Sequence, residues 1–232
     1  MRHPARRLPT SARDGHVIAQ VAEGDDEDID RTVRVSRLAF EDGRWSRIAP
    51  VERKRIMLRF ADLVRARPLD LALLETLDVG KPISDWINVD VRLCADNLQW
   101  LAECIDKSYG ELAPVANDSI AMITREPMGV IGCVVPWNHP LIITSWKIGA
   151  ALASGTSVVL KPAEQSPLSA LLLAALSCVM RPTATQSRCR WSSAASRRRS
   201  CWQMWPISAL RHRSLPGVCS TTLARRAMPE RG

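Results

Sequence analysis

The sequence predicts an α/β fold in which short buried strands alternate with helices. Apolar, β-branched runs at residues 130–135 and 157–160 have the length and composition of buried strands. An apolar helical segment at residues 141–152 separates the two runs, and Pro167 opens another helix that continues through Leu176. The order strand, helix, strand, polar loop, helix is typical of a parallel α/β sheet.

Helices are predicted to fill most of the chain before this block. Asp28 precedes the first helix, Pro50 begins the second, and Pro68 begins the third, which ends at Gly80. The apolar face of the first helix is marked by Ile29, Val33 and Phe40.

The clearest helical pattern covers residues 86–105. Its apolar positions recur at helical spacing and are Val91, Ala95, Leu98, Ala102 and Ile105. Residues 110–118 are predicted to be a linker. Residues 119–127 alternate between apolar and polar side chains, as an exposed strand would.

Polar side chains follow the second of the two predicted buried strands. Lys161 and Glu164 stand at its carboxyl end. In parallel α/β sheets, ligands bind outside the carboxyl ends of the strands. We therefore expect these two side chains to meet the polar groups of a cofactor.

Several short motifs accompany this pattern. Within the block they are Pro136-Trp137-Asn138, Trp146-Lys147 and Lys161-Pro162-Ala163-Glu164. Upstream they are LLETLDVGKP, AECIDKSYGE and ITREPMGVIG. Together these motifs, spread over residues 15–176, resemble the aldehyde dehydrogenase superfamily. They look most like its branch acting on γ-glutamyl-γ-aminobutyraldehyde and related ω-amino aldehydes.

The resemblance implies a division of the chain. Residues 1–118 would be the N-terminal helical part of the NAD-binding domain. Residues 119–127 would form an arm strand that pairs with another subunit of a homo-oligomer, and residues 128–176 the Rossmann-type NAD-binding segment. The fold would be the N-terminal part of an aldehyde dehydrogenase, incomplete, with residues 177–232 as an irregular tail.

The resemblance also implies catalytic roles at matching positions. Asn138 would donate its side-chain amide to the oxyanion of the tetrahedral intermediate, where one such donor is worth about 10²–10³ in rate. Lys147 would join a proton-relay network, and Trp146 would border the aldehyde channel. For Trp146 and Lys147, ordinary packing and solvation explain the residue types equally well.

The cofactor implied by the resemblance is NAD. The residues that would line its cleft are Val134, Val135, Pro136, Trp137 and Ala163. Lys161 and Glu164 would form hydrogen bonds with the adenosine ribose. Because a carboxylate suits a free 2′-hydroxyl and repels a 2′-phosphate, NAD is favoured over NADP.

The sequence lacks the two motifs that carry the family's chemistry. Aldehyde oxidation needs a cysteine thiolate as nucleophile, which the family places in a G-Q-x-C segment, and a general base in an E-L-G-G-K segment. Neither segment occurs here. Cys94, Cys104 and Cys133 lie in apolar patterns and are predicted to be buried, inert thiols. We expect no metal site, no catalytic domain, and an inactive, truncated fragment.

The composition changes at residue 177. Residues 1–176 carry 21 Lys and Arg against 23 Asp and Glu, whereas residues 177–232 carry eleven Arg, no Lys and a single acid, Glu230. This tail also holds four of the seven cysteines and shows no regular periodicity. Such a stretch is typical of GC-rich coding DNA translated out of frame, so we predict a frameshift near codon 177.

Two other interpretations of the tail stay open. Eleven arginines interleaved with Trp191, Trp202 and Trp205 would suit nucleic-acid binding, although the absence of Lys makes this reading the less favoured. Residues 214–228 faintly echo a family segment near the nicotinamide, either by chance or through a partly restored frame.

The function expected of the intact parent is the oxidation of an aldehyde to a carboxylic acid with NAD. For this chain the alternatives are a non-catalytic fragment that binds NAD or a subunit, and a nucleic-acid binder. No segment reaches the ~18 consecutive apolar residues of a membrane span, so no membrane partner is expected. Cysteines without paired spacing favour a reducing, cytoplasmic setting.

Overall fold

Helices predominate between residues 26 and 107 of the chain, and a parallel strand–helix unit lies at residues 130–179. The computed structural model describes residues 6–7, 11, 14–19, 21–22, 24–179 and 203–205. In chain order the elements are β1 (Arg6–Arg7), β2 (Val21–Ala22), α1 (Asp26–Glu41), α2 (Pro50–Arg65), α3 (Pro68–Val79), α4 (Ile83–Asp85), a π-helix (Trp86–Val91), α5 (Arg92–Cys104), a 3-10 turn (Ile105–Lys107), β3 (Glu111–Ala113), β4 (Ala121–Ile123), β5 (Val130–Val134), α6 (Pro140–Ala153), β6 (Ser157–Lys161), α7 (Leu168–Val179) and β7 (Gln203–Trp205). The predicted α/β order is confirmed.

The sheet that supports the candidate site contains β5 and β6 in parallel, with β7 antiparallel to β6. The register of the parallel pair places Val134 opposite Lys161. Val158, Val159 and Leu160 of β6 are all buried. Because successive side chains of a strand point to opposite faces, both faces of β6 are covered, as in the interior of an α/β protein.

Within residues 177–232, predicted to be an irregular tail, the structure describes the end of α7 and the strand β7. Helix α7 continues to Val179, and the Ser177 hydroxyl is buried and donates to the Ala174 carbonyl (2.6 Å). Residues of β7 pair with the outer edge of β6, whose main-chain groups need partners. The rest of residues 177–232 lies outside the described residues.

Helix α1 differs from its prediction in both its start and its buried face. It begins at Asp26, because Asp25 is its N-cap and forms a capping box with Asp28. Its buried side chains are Thr32, Ser36 and Ala39. Val33, predicted to be on the apolar face, is 45% exposed. Small side chains allow α1 to approach β5 and β6 closely, which hydrophobic spacing alone does not indicate.

The hydrophobic core lies among α2, α3, α5 and α6, and α5 packs against both α2 and α6. The predicted apolar face of α5 is confirmed by the burial of Val91, Ala95, Leu98 and Ala102. The segment predicted as one helix instead begins as the π-helix, whose Trp86 is fully buried. Periodicity does not reveal such a local widening of the helix.

Residues 110–118, predicted to be a linker, contain the strand β3. It pairs antiparallel with β4, and Leu112 lies opposite Met122. The pairing occurs because both segments are extended and their main-chain groups satisfy one another. Leu112 and Met122 are each 73% exposed, so the hairpin presents apolar side chains to solvent.

Helix α6 ends in a Schellman turn that requires Gly155. Its φ is +85°, and its N–H donates to the Leu152 carbonyl (3.0 Å) while the Thr156 N–H donates to the Ala151 carbonyl (3.0 Å). A Cβ atom at this position would lie 2.9 Å from Nη1 of Arg53. Both the backbone angle and the available space therefore select glycine.

We expect Gly155→Ala to lower the free energy of unfolding by about 1–2 kcal/mol, measured by urea denaturation. Gly132→Ala is the matched control, because a Cβ on Gly132 in β5 would meet no atom within 4 Å. That substitution should change stability by less than about 0.5 kcal/mol. Equal effects of the two substitutions would contradict the conclusion that position 155 requires glycine.

Candidate functional site

The loops that follow β5 and β6 meet at one edge of the sheet, which we call the carboxyl edge. Val134 ends β5 opposite Lys161, which ends β6, and the Val135 N–H donates to the Lys161 carbonyl (3.0 Å). The Ser166 hydroxyl, in the loop after β6, donates to the Trp137 carbonyl in the loop after β5 (3.0 Å). The two loops are therefore fixed relative to each other.

The predicted cofactor residues differ in their exposure at this edge. The exposed ones are Val134, Pro136, Trp137 and Glu164, and the half-buried ones are Lys161 and Ala163. Val135 is only 1% exposed and belongs to the hydrophobic core. Its side chain supports the loop from within, so only its main chain is available to a ligand.

Lys161 and Glu164 place a cation and an anion together at the carboxyl edge. Nζ of Lys161 lies 3.9 Å from Oε1 of Glu164, and the two side chains are 33% and 42% exposed. Pairs this exposed contribute little to stability, so the fold does not depend on them. An ammonium donor beside a carboxylate acceptor suits a ligand with adjacent hydroxyl groups.

Asn138 lies in the bend between β5 and α6 and is exposed. Its amide offers two N–H donors at the carboxyl edge. Lys147, on α6, reaches the same edge, where its Nζ donates to the Val134 carbonyl (2.6 Å). Trp146 is 56% exposed on the same helix. The carboxyl edge thus gathers Asn138, Lys147 and the cofactor residues.

Two buried carboxylates of α3 accept hydrogen bonds from the first turns of α6 and α7. Oε1 of Glu75 accepts the Leu141 N–H (3.0 Å) and the Ser169 hydroxyl. Oδ2 of Asp78 accepts the Leu168 N–H (2.9 Å). The first N–H groups of a helix have no partner within the helix, and its dipole favours an anion there. Helix α3 therefore anchors both helices that begin at the carboxyl edge.

A third buried carboxylate, Asp90, is paired on both oxygens. It accepts a hydrogen bond from Lys81 Nζ (2.6 Å), and its other oxygen lies 3.1 Å from Nδ1 of His139. The Lys81 ammonium also lies 4.3 Å from the centroid of the Trp86 ring, which meets the His139 ring edge to face at 6.2 Å. Since His139 follows Asn138, this cluster also holds the loop that bears Asn138.

Burial raises the pKa of Glu75 to about 8, and the negative charges of Asp90 and Asp78 act in the same direction. The hydrogen bonds from Ser169 and Leu141 lower this pKa, but by less than burial raises it. Burial likewise raises the pKa of Asp78 to about 7, against the hydrogen bond from the Leu168 N–H. The second oxygen of each carboxyl is buried and accepts no hydrogen bond from the described residues. A proton on that oxygen removes the desolvation penalty of the charge.

The buried roles of Glu75 and Asp78 were not predicted, although the sequence contains a signal for them. The two acids stand three residues apart in a helix whose other buried residues include Leu71 and Ala72. Acids on the buried face of a helix must find partners, since an unpaired buried charge is costly. What spacing does not tell is which elements supply those partners.

Two of the three cysteines in the described residues are buried. Burial raises the pKa of the Cys94 and Cys133 thiols, in agreement with their predicted inert role. Cys104 was also predicted to be buried, but at the end of α5 it is only half-buried. In the part of the chain that the structure describes, His, Cys, Asp and Glu side chains form no cluster suited to a metal ion. None of the described helices has the length and apolar character needed to cross a membrane.

The structure thus combines a parallel strand–helix unit with a Lys–Glu pair and an exposed Asn at its carboxyl edge. A model of the aldehyde dehydrogenase family matches residues 7–179. This chain belongs to the aldehyde dehydrogenase family, as the sequence motifs predicted.

Two curated relatives illustrate the extent of the likeness. The NADP/NAD-dependent aldehyde dehydrogenase PuuC of Escherichia coli K12 is 51% identical over 159 residues, which are 68% of this chain and 32% of the relative. The aminoacetaldehyde dehydrogenase of Pseudomonas aeruginosa is 48% identical over 167 residues, which are 72% of this chain and 34% of the relative. The chain thus spans about a third of the length of these relatives.

Solved structures agree with the predicted fold. An indole-3-acetaldehyde dehydrogenase complexed with NAD⁺ matches with a TM-score of 0.74 and 48% identity, over 75% of this chain and 35% of that one. The γ-glutamyl-γ-aminobutyraldehyde dehydrogenase from Burkholderia cenocepacia matches with a TM-score of 0.74 and 46% identity, over 75% and 36% of the two chains. The predicted family and its fold are therefore confirmed.

The raised pKa values of Glu75 and Asp78 predict that stability falls as the pH rises. Ordinary pKa values for these groups are 4.5 and 3.8, so the folded chain binds protons that the unfolded chain has already released. The free energy of unfolding therefore decreases from about pH 4 until the folded pKa values are passed. Each unit of pKa difference corresponds to about 1.4 kcal/mol, so we expect a loss of several kcal/mol in urea denaturation across this range.

Removal of one carboxyl should flatten this pH profile. Asp78→Asn and Glu75→Gln each abolish one of the two titrations and are expected to reduce the slope. Asp70→Asn is the control, because Asp70 is exposed at the start of the same helix. A profile that keeps its slope in both test variants would show that other groups cause it.

Proposed function

We propose that this chain supplies the NAD-binding part of an enzyme that oxidises an aldehyde to a carboxylic acid. The observation that carries the proposal is the Lys161–Glu164 pair at the carboxyl edge, next to the end of β5 and the loop of Asn138. Ligands of open α/β sheets bind outside the carboxyl ends of the strands. Membership of the aldehyde dehydrogenase family supports the reaction class.

The residues at the carboxyl edge fit the adenosine ribose of NAD. Glu164 accepts hydrogen bonds from adjacent hydroxyls and Lys161 donates to them, while the exposed Val134 and Trp137 offer apolar surface to the rest of the cofactor. The Glu164 carboxylate repels a 2′-phosphate, so NAD is favoured over NADP. When bound, NAD accepts the hydride that leaves the substrate carbon.

Asn138 is proposed to stabilise the oxyanion of the reaction. Its exposed amide lies at the loop that ends β5, where it can donate to the oxygen of a tetrahedral intermediate. Lys147 holds the end of β5 through the Val134 carbonyl, and a relay role for its ammonium is part of the proposal. Trp146 is proposed to border the aldehyde channel.

The reaction also requires a thiolate and a general base. The printed sequence holds neither the G-Q-x-C nor the E-L-G-G-K segment of the family. We therefore propose that these 232 residues bind NAD without themselves oxidising aldehydes. The change of composition near residue 177 supports a frameshift there. Sequencing the coding DNA across that codon and translating it in all three forward frames would test this.

The substrate, assembly and location are proposed from the relatives and from the surface of the chain. Relatives named for aminoacetaldehyde and γ-glutamyl-γ-aminobutyraldehyde support a small ω-amino aldehyde as substrate of the intact parent.

The exposed Leu112 and Met122 of the β3–β4 hairpin support subunit pairing in a homo-oligomer. We propose a cytoplasmic enzyme, because the thiols show no disulfide spacing.

Glu164→Gln should weaken NAD binding by about 10–100-fold, because hydrogen bonds to a charged group are worth about 1.5–3 kcal/mol. Isothermal titration calorimetry of the full chain with NAD and with NADP measures the effect. The variant should also narrow the preference for NAD over NADP, since it removes the charge that repels the 2′-phosphate. Glu41→Gln, an exposed acid at the end of α1, is the control. Equal NAD affinity in the wild type and Glu164→Gln would contradict the proposed site.

The full chain should produce no NADH from NAD and an ω-amino aldehyde. The physical reason is the lack of an activated thiol, since the described Cys94 and Cys133 are held neutral by burial. NADH absorbance measures the outcome, with an intact aldehyde dehydrogenase as the positive control. NADH formation by the full chain above the rate without protein would refute this part of the proposal, and replacement of every cysteine by serine would then show whether a thiol is responsible.

A further inference from the structure

The first turn of α6 follows Asn138 directly and has no cap of its own. His139 occupies the N-cap position without a side-chain hydrogen bond to the helix, and Pro140 at the next position has no N–H. The first main-chain donor of α6 is therefore the Leu141 N–H. Its partner is Glu75, 66 residues earlier in the chain.

Glu75 binds this donor in a site closed to solvent. Its Oε1 lies 3.0 Å from the Leu141 nitrogen and also accepts the hydroxyl of Ser169 at the start of α7. Glu75 is 0% exposed, so water does not compete for either hydrogen bond. One carboxylate oxygen thus joins the starts of the two helices that follow the loops of Asn138 and Glu164.

Asp90 contacts the same turn in a different way. It meets the His139 ring (3.1 Å), and a side chain can rotate without displacing the main chain. Glu75 instead binds the main chain itself. A displacement of its carboxylate therefore shifts the start of α6 and, with it, the loop that carries Asn138.

We propose that Glu75 is a positioning residue for Asn138, because it fixes the start of α6 and thereby the direction of the Asn138 amide at the carboxyl edge. The inference rests on the proposed function, in which that amide meets the oxyanion. Reacting groups need such precision, since a displacement of about 1 Å reduces a rate by roughly 10²-fold. A buried anchor on a separate helix supplies rigidity that an exposed bend lacks by itself.

The test uses the isotope-labelled full chain and nuclear magnetic resonance. The side-chain amide signals of Asn138 are assigned from their loss in Asn138→Asp. Glu75→Asp shortens the side chain by one methylene and keeps a carboxyl group, so its oxygen no longer reaches both donors. We expect shifted or broadened Asn138 amide signals and about tenfold faster hydrogen exchange at the Leu141 N–H. Glu75→Gln keeps a carbonyl oxygen at the original reach and should restore both signals.

Asp78 offers a matched control. It lies one turn further along α3 and is 8% exposed, but it anchors α7 and makes no bond to α6. Asp78→Ala should reduce the stability of the chain in urea denaturation and leave the Asn138 amide signals unchanged. Unchanged Asn138 signals in Glu75→Asp, or equal changes in Asp78→Ala, would overturn the proposal.

A milder variant decides the matter if Glu75→Asp does not fold. Ser169→Ala removes one donor to the same carboxylate oxygen and leaves Glu75 in place. It should shift the Asn138 signals in the same direction by a smaller amount, and the absence of any shift would overturn the proposal.

NAD titrations of the same samples distinguish a failure of the proposed function from a failure of the positioning role. If the Asn138 amide signals change in the variants but the wild-type chain does not bind NAD, only the proposed function is refuted. If the wild-type chain binds NAD but the Asn138 amide signals do not change in the variants, only the positioning role is refuted.

Discussion

Helices α6 and α7 both begin at the carboxyl edge, and the first N–H groups of each helix lack partners within it. Glu75 and Asp78 supply those partners from α3, at 3.0 Å and 2.9 Å. Both carboxyls are buried, so the folded chain would lose stability if the first turns of α6 and α7 moved and left these carboxyls without their hydrogen-bond donors. If the N–H donors move away, a buried acid is left without compensation. The geometry of the carboxyl edge is therefore coupled to the helical layer that precedes it in the chain.

The parallel register of β5 and β6 then determines what this edge presents. Because Val134 lies opposite Lys161, the loop with Asn138 and the loop with Glu164 leave the sheet side by side. The hydrogen bond from Ser166 to the Trp137 carbonyl ties the loops together (3.0 Å). The proposed site for the cofactor ribose and the proposed donor to the oxyanion are thus held by the same two strands.

The sequence predicts structural features that depend on neighbouring residues, but it does not predict features that depend on contacts between residues far apart in the chain. Pro50 and Pro68 mark helix starts, and the apolar spacing of α5 correctly predicts its buried face. The fold of residues 129–176 follows from alternating apolar runs, whereas the site residues are proposed from motifs at family spacing. By contrast, the burial of Glu75 depends on a bond to Leu141, 66 residues away, and β3 forms only because β4 returns beside it. Neither partner can be read from local spacing.

Cys133 shows why the carboxyl edge does not supply its own nucleophile. It precedes Val134, which is 62% exposed, but side chains alternate along a strand, so the thiol points to the opposite, buried face. Burial also raises the pKa of this thiol, with only partial relief from the Lys147 ammonium. A thiolate that attacks an aldehyde needs an accessible position and a lowered pKa. The same packing that buries one face of β5 therefore keeps its cysteine unreactive, so the proposed support of Asn138 and an attacking thiolate cannot both come from this strand.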